Sequence, residues 1–250
     1  MRPLVKRIRN TSLAYARLIE PRQLRILKIS CPLCDFPVLV RLAREERGLR
    51  CPRCRGGVVH MSMAHVLNAN FDSLSEYSVY ELSSRGPMVK YLKRSCKSLT
   101  VSEFWPDVSP GQWKNGIQCQ NVERLTFSDE SFDLCTSTEV FEHVVDDLTG
   151  FREIRRVLKV GGIFIFSVPL RLNEKTLERA VIIDGEICHL EEPEYHDDIL
   201  RGPGKVLAYR TYGFDITDKL LEAGFSTAII DTSAKEYFDG LGRSLIVATV

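Results

Sequence analysis

Two short cysteine pairs, Cys31-Pro-Leu-Cys34 and Cys51-Pro-Arg-Cys54, stand 16 residues apart. They restrict the N-terminal part of the chain more than any other feature. Each CxxC loop turns two thiolates to one side. Two such loops together place four sulfurs at the corners of a tetrahedron, the geometry Zn²⁺ takes with cysteine ligands. A redox dithiol would need only one pair. A four-thiolate site has no open position, so the spacing predicts a structural zinc on Cys31, Cys34, Cys51 and Cys54, holding a small ribbon over residues 31–60. The other four cysteines, Cys96, Cys119, Cys135 and Cys188, stand singly. They make no disulfide framework and fit a reducing, cytoplasmic compartment.

The ribbon lies in a basic segment. Residues 1–60 hold 14 Lys/Arg against 4 Asp/Glu, a net of +10, which leaves the rest of the chain at −9. A nucleic-acid or other polyanionic partner is one reading. The other is that the basic segment is solvated or rests on the chain's own acidic part. Residues 1–30 read as a basic amphipathic helix, with Arg7, Arg17, Arg22 and Arg25 set among Leu4, Ile8, Leu13, Leu18 and Leu24. Residues 61–78 read as a linker made of a connecting helix and a loop. No apolar run reaches about 18 residues, so no transmembrane helix is expected, and no secretory signal is evident.

From residue 79 onward, short β-like runs alternate with helical patterns, as in a doubly wound α/β sheet. Strands are expected at Val79–Leu82, Ser98–Glu103, Ile117–Cys119, Phe132–Thr138, Ile163–Val168, Ser226–Asp231 and Ser244–Val250. Helices are expected from Pro87, over Asp146–Leu158 with a stop at Gly161-Gly162, and over Gly213–Ala223. Residues 171–208 read as irregular.

Three pieces occur in order inside this region: Ser131-Phe-Asp133, Glu139-Val-Phe-Glu-His-Val144, and Arg156-Val-Leu-Lys-Val-Gly-Gly162. Together they resemble the central block of the type 11 family of class I S-adenosylmethionine-dependent methyltransferases. The resemblance runs more loosely from residue 79 to 250. It implies a Rossmann-like methyltransferase sheet, mostly parallel with the last strand antiparallel, preceded by the zinc ribbon. It also implies S-adenosylmethionine over the carboxyl ends of the first strands. On that pattern Glu103 takes the ribose hydroxyls, Asn121 the adenine amino group, Leu125 the ring face, and Glu81, Ser83 and Gly86 the first loop. That loop departs from the family's acidic-then-G-x-G-x-G form, because Ser83 and Ser84 stand where glycines are usual. The departure keeps open a reading as a non-catalytic interaction protein.

Methyl transfer is an in-line displacement that needs alignment and, for many acceptors, a base. His143 is the candidate base, with Glu139 and Glu142 beside it. Glu139-x-x-Glu142-His143 also resembles the metal-binding stretch of some O-methyltransferases, which would add Mg²⁺ with His189 or His196 as a further ligand. His189, Glu194, Tyr195, His196 and Arg210 are the candidate substrate contacts. The leading expectation is O-methylation of a small-molecule or glycan- or lipid-linked acceptor. The runner-up is an rRNA or tRNA methyltransferase using the basic ribbon.

Overall fold

A computed structural model describes residues 19–198 and 202–250. Its centre is a sheet of eight strands: β4 (Ser78–Glu81), β5 (Ser98–Glu103), β6 (Trp113–Lys114), β7 (Ile117–Cys119), β8 (Phe132–Thr138), β9 (Leu158–Ser167), β17 (Thr227–Asp231) and β18 (Leu245–Thr249). Their spatial order is β17-β18-β9-β8-β4-β5-β7-β6. The inner pairs β5–β4, β4–β8 and β8–β9 are parallel. The last strand, β18, runs antiparallel to both of its neighbours, so the Rossmann-like sheet has the expected sense.

Strand alternation sorts the core into two layers. Val79, Leu134, Ile165, Leu245 and Val247 face one cluster, which includes α1 (Val58–Asn70) and α2 (Pro87–Ser95). Their sequence neighbours Tyr80, Cys135, Phe164, Phe166 and Ile246 face the other, with α3 (Asp147–Val157) and α4 (Ile216–Glu222). Asp146 caps α3 by accepting a 2.9 Å hydrogen bond from the Thr149 amide, satisfying an otherwise unpaired donor at the helix start. The Gly161-Gly162 pair does not stop this helix. The chain passes from Val157 straight into β9, and the glycines lie where the β8–β9 register shifts between Phe132 and Leu134. Gly161 has φ +74°. A Cβ on Gly162 would meet the Lys159 carbonyl oxygen at 2.8 Å.

The N-terminal expectations need correction. Residues 1–18 lie outside the described residues. Within the rest of the expected helix, Pro21–Gln23 form a single 3₁₀ turn and Arg25–Leu27 form a strand, β1. It pairs antiparallel with β2 (Leu39–Arg41), which pairs with β3 (Leu49–Arg50). The helix expected in the linker is present as α1 but begins at Val58, inside the expected ribbon, and its Met61, Met63, Ala64, Val66 and Leu67 have no exposed surface. Cys31, Leu33, Leu39 and Leu49 belong to the same apolar cluster as Val79 and Leu134, so ribbon and sheet share one core.

Residues 171–208 are not irregular. β12 (Ala180–Ile183) pairs with β13 (Glu186–His189), and β14 (Glu194–Asp198) with β15 (Gly202–Ala208). β16 (Arg210–Gly213) lies between β10 (Leu170–Arg171) and β11 (Leu177–Glu178), so the helix expected from residue 213 begins only at Ile216. Among the described residues no helix is long and apolar enough to cross a membrane.

Candidate active site

The parallel strands end on one edge, and most of the predicted site residues lie along it, as the rule for open α/β sheets requires. Glu81 closes β4 with no exposed surface. Its carboxylate accepts from Ser83 Oγ at 2.5 Å and Thr136 Oγ1 at 2.5 Å, and burial pushes its pKa up to about 7. Glu103 closes β5 and accepts from the Ser84 amide at 3.1 Å and Ser84 Oγ at 2.6 Å. The two serines that replace glycines therefore tie the first loop to both acidic residues. Gly86 has φ +104°, a conformation open to glycine and strained for other residues. A Cβ there would meet only His60 Nε2, at 3.8 Å.

Asn121 and Leu125 fit their expected roles less well. Asn121 Oδ1 accepts the Glu123 amide at 3.0 Å, and Asn121 Nδ2 donates to the Glu123 carboxylate at 3.3 Å. A ligand would have to compete with that turn. Leu125 is packed into the core beside Tyr80 and Phe132, which is a structural position.

The acceptor-side prediction resolves into a three-residue cluster. One ligating atom each of Glu142, His143 and His196 lies within 4.8 Å of the others. Glu142 is wholly buried, with His196 Nδ1 3.5 Å and His143 Nε2 3.6 Å from Oε1; these are ionic distances, longer than good hydrogen bonds. The other sides of the imidazoles are held. His143 Nδ1 lies 2.8 Å from the Leu207 carbonyl, and His196 Nε2 lies 3.0 Å from Glu194, itself 3.0 Å from Arg179. Burial pushes Glu142 up to about 7. Glu142, followed by Glu194, raises His196 to about 9. A carboxylate and two imidazoles, each imidazole oriented from behind, form a donor set suited to a divalent ion or to moving a proton.

Other predicted contacts fall elsewhere. Glu139 leaves β8 with φ +52° and meets Arg243 at 3.7 Å rather than the imidazoles. His189 lies on β13 opposite Ala180, outside the cluster. Tyr195 is about half exposed, opposite Leu207. Arg210 is not a substrate contact. It is buried, and its guanidinium donates to the carbonyls of Phe141, Val144 and Val145 and to Glu178. It fixes the turn that carries Glu142 and His143. Arg179, Arg243 and His60 were missed. Each is a lone polar residue without a motif, and only folding brings it to this edge.

The four ribbon thiols also converge. Cys31 Sγ lies 3.7 Å from Cys54 Sγ, and Cys34 Sγ 3.6 Å from Cys51 Sγ. A tetrahedral zinc with bonds of about 2.3 Å separates its sulfurs by about 3.8 Å. Asp35 and Arg55, each following the second cysteine of its pair, have φ +58° and +62°, so the two loops turn alike. The cluster is compatible with zinc.

Residues 81–166 match the family described as a methyltransferase domain. Over 46 residues the chain is 52% identical to the ubiquinone/menaquinone biosynthesis C-methyltransferase of Stenotrophomonas maltophilia and 50% identical to that of Xylella fastidiosa. These stretches span 18% of this chain and 18% of each relative. Among solved structures, an S-adenosylmethionine-dependent methyltransferase from Mesorhizobium loti aligns with 76% of this chain and 98% of its own at 16% identity and TM-score 0.47. The 1,6-didemethyltoxoflavin-N1-methyltransferase of Burkholderia thailandensis, solved with S-adenosylhomocysteine, aligns with 76% and 77% at 16% identity and TM-score 0.46.

Proposed function

We propose, taking as premise that residues 81–166 belong to the methyltransferase domain family, that this chain transfers a methyl group from S-adenosylmethionine to a hydroxyl acceptor. When bound, that cofactor supplies an electrophilic methyl on a sulfonium. The observation that carries the reading is the pairing of the Ser83-Ser84 loop with Glu81 and Glu103 at the ends of adjacent parallel strands. In this reading Glu103 accepts ribose hydroxyls, which its position at the end of β5 supports, and the loop is held by its own serines in place of glycines.

The chain's residues divide the remaining work. Glu142, His143 and His196 stand on the acceptor side. His143 is the candidate to draw the acceptor proton, and Leu207 fixes its ring through Nδ1. The same three residues fit a divalent cation by donor type. Such an ion would lower the pKa of a bound hydroxyl. The hairpin β14–β15 supplies His196 and packs on the turn that carries Glu142 and His143, which favours a small-molecule or glycan- or lipid-linked acceptor over a large folded RNA. Zinc on the four cysteines stays structural in this reading.

Calorimetric titration with S-adenosylmethionine tests the premise. Glu103→Ala should weaken binding by about 1.5–3 kcal/mol, the range for hydrogen bonds to a charged group. Equal affinity in the variant would displace Glu103 from the ribose role. No binding by the wild-type chain would favour an interaction protein instead.

A further inference from the structure

The edge of the sheet between β8 and β9 carries a group of buried polar atoms that no described residue satisfies. Thr138 and Ser167 are direct neighbours across the two strands. Alternation places both on the α1 face, the face of Leu134 and Ile165. Neither hydroxyl has a hydrogen-bond partner among the described residues. Glu139 follows Thr138, and its amide donates to the Ser167 carbonyl at 3.0 Å. Among the described residues Glu139 Oε1 is buried without a partner, and so is Arg243 Nε. A guanidinium nitrogen of Arg243 lies 3.7 Å from Glu139 Oε2. Leaving a buried donor or acceptor unpaired is costly, so several at one place mark a site that something else completes.

The surroundings hold this pair in position. Arg243 precedes β18, which starts at this edge because it runs antiparallel. Its amide donates to Ser62 Oγ of α1 at 3.0 Å, and its guanidinium meets Glu46 of the ribbon at 2.8 Å. Glu139 is fixed by its left-handed backbone, a conformation that costs a non-glycine residue and is retained where neighbours impose it.

We propose that Glu139 and Arg243 form a zwitterion clamp for the α-amino-acid end of the cofactor, with the ribbon's Glu46 positioning Arg243. The unpartnered acceptor on Glu139 suits an α-ammonium group. The unpartnered donor on Arg243 suits an α-carboxylate. The hydroxyls of Thr138 and Ser167 can join either. A lone anion or a lone cation would satisfy only half of the pair, whereas an amino-acid head carries both charges on one carbon. The inference rests on the methyltransferase reading, and it moves Glu139 from the acceptor side to the cofactor. It also makes the zinc ribbon part of the cofactor site.

The test compares S-adenosylhomocysteine with 5′-methylthioadenosine, which share the adenosine thioether and differ in the amino-acid end. Calorimetry on the zinc-loaded full chain should give tighter binding of S-adenosylhomocysteine by wild type. Arg243→Met and Glu139→Gln should each weaken it by about tenfold or more, while 5′-methylthioadenosine is unaffected. Arg243→Lys should recover part of the loss, and Glu46→Gln should lower S-adenosylhomocysteine affinity alone by a smaller factor. Equal losses for both ligands in correctly folded variants, or no loss for S-adenosylhomocysteine, would overturn the clamp while leaving the methyltransferase reading standing. Failure of wild type to bind either ligand would instead overturn that reading, and the clamp with it.

Discussion

At the scale of single residues, burial determines much of the site's chemistry. Glu81 has a pKa raised to about 7, chiefly by loss of water, against an ordinary value near 4.5. The folded protein therefore holds that proton more tightly than the unfolded chain. Its contribution to stability is present below about pH 4.5 and is lost as pH rises through about 7. His60 acts in the opposite sense: burial, followed by Arg50, lowers it to about 4. The difference between wild type and Glu81→Gln isolates the carboxylate. Urea unfolding of the cofactor-free protein should show the variant gaining stability relative to wild type between pH 5 and 8. A constant difference across that range would refute the shift. His143 is tested through turnover. His143→Ala should lower the rate by about 10²–10⁴-fold with cofactor affinity nearly unchanged. A cation role adds that a chelator abolishes wild-type turnover and that Mg²⁺ or Mn²⁺ restores it. A base role predicts resistance to the chelator.

At the scale of elements, short polar contacts position what the strands alone cannot. The start of α3 is held by Asp146, whose carboxylate takes both the amide and the hydroxyl of Thr149. Asp146→Ala should cost about 1 kcal/mol of unfolding free energy. Because Asp146 follows the Glu142–His143 turn by only a few residues, turnover should fall with it. Retained stability in a denaturant titration would show that the cap is dispensable. The hairpins β12–β13 and β14–β15 escaped the sequence pattern for a physical reason. Their strands alternate weakly, as in Glu194-Tyr-His-Asp-Asp198, because neither face meets the main core. The first loop was legible as a departure from the family form. Its compensation, serine hydroxyls bonded to Glu81 and Glu103, depends on contacts that form only in the fold.

At the scale of the whole molecule, ribbon and sheet share one apolar core, so unfolding of one should carry the other. A small module held by its own metal would be expected to unfold alone and leave the rest intact. The shared apolar cluster, running from Cys31 and Leu49 through α1 to Val79 and Leu245, argues otherwise. Cys31→Ser should release the zinc and also destabilise α1 against the sheet, since a four-thiolate metal contributes folding free energy directly. Thermal unfolding should then show a lowered transition for the entire chain. An unchanged main transition with only the ribbon melting would restore the independent-module picture, and elemental analysis finding no zinc in wild type would remove the metal altogether.

The sequence by itself determined the parts of this protein that rest on local spacing. The two CxxC loops gave the four-sulfur cluster. Short, nearly continuous apolar runs marked the central strands close to their ends, and the ordered pieces around Glu139 and Gly162 pointed to the Rossmann-like sheet and lie within the stretch that matches the methyltransferase domain family. Glu142 and His143 were legible because they adjoin in the chain. Only the tertiary structure selected His196 over His189 as their companion, buried Arg210 under the turn it supports, and brought Arg243 and Glu46 to Glu139. Those decisions depend on contacts between residues far apart in sequence. Which lone polar side chain reaches a buried carboxylate is decided by strand order, hairpin register and the packing of α1, and no local pattern records them.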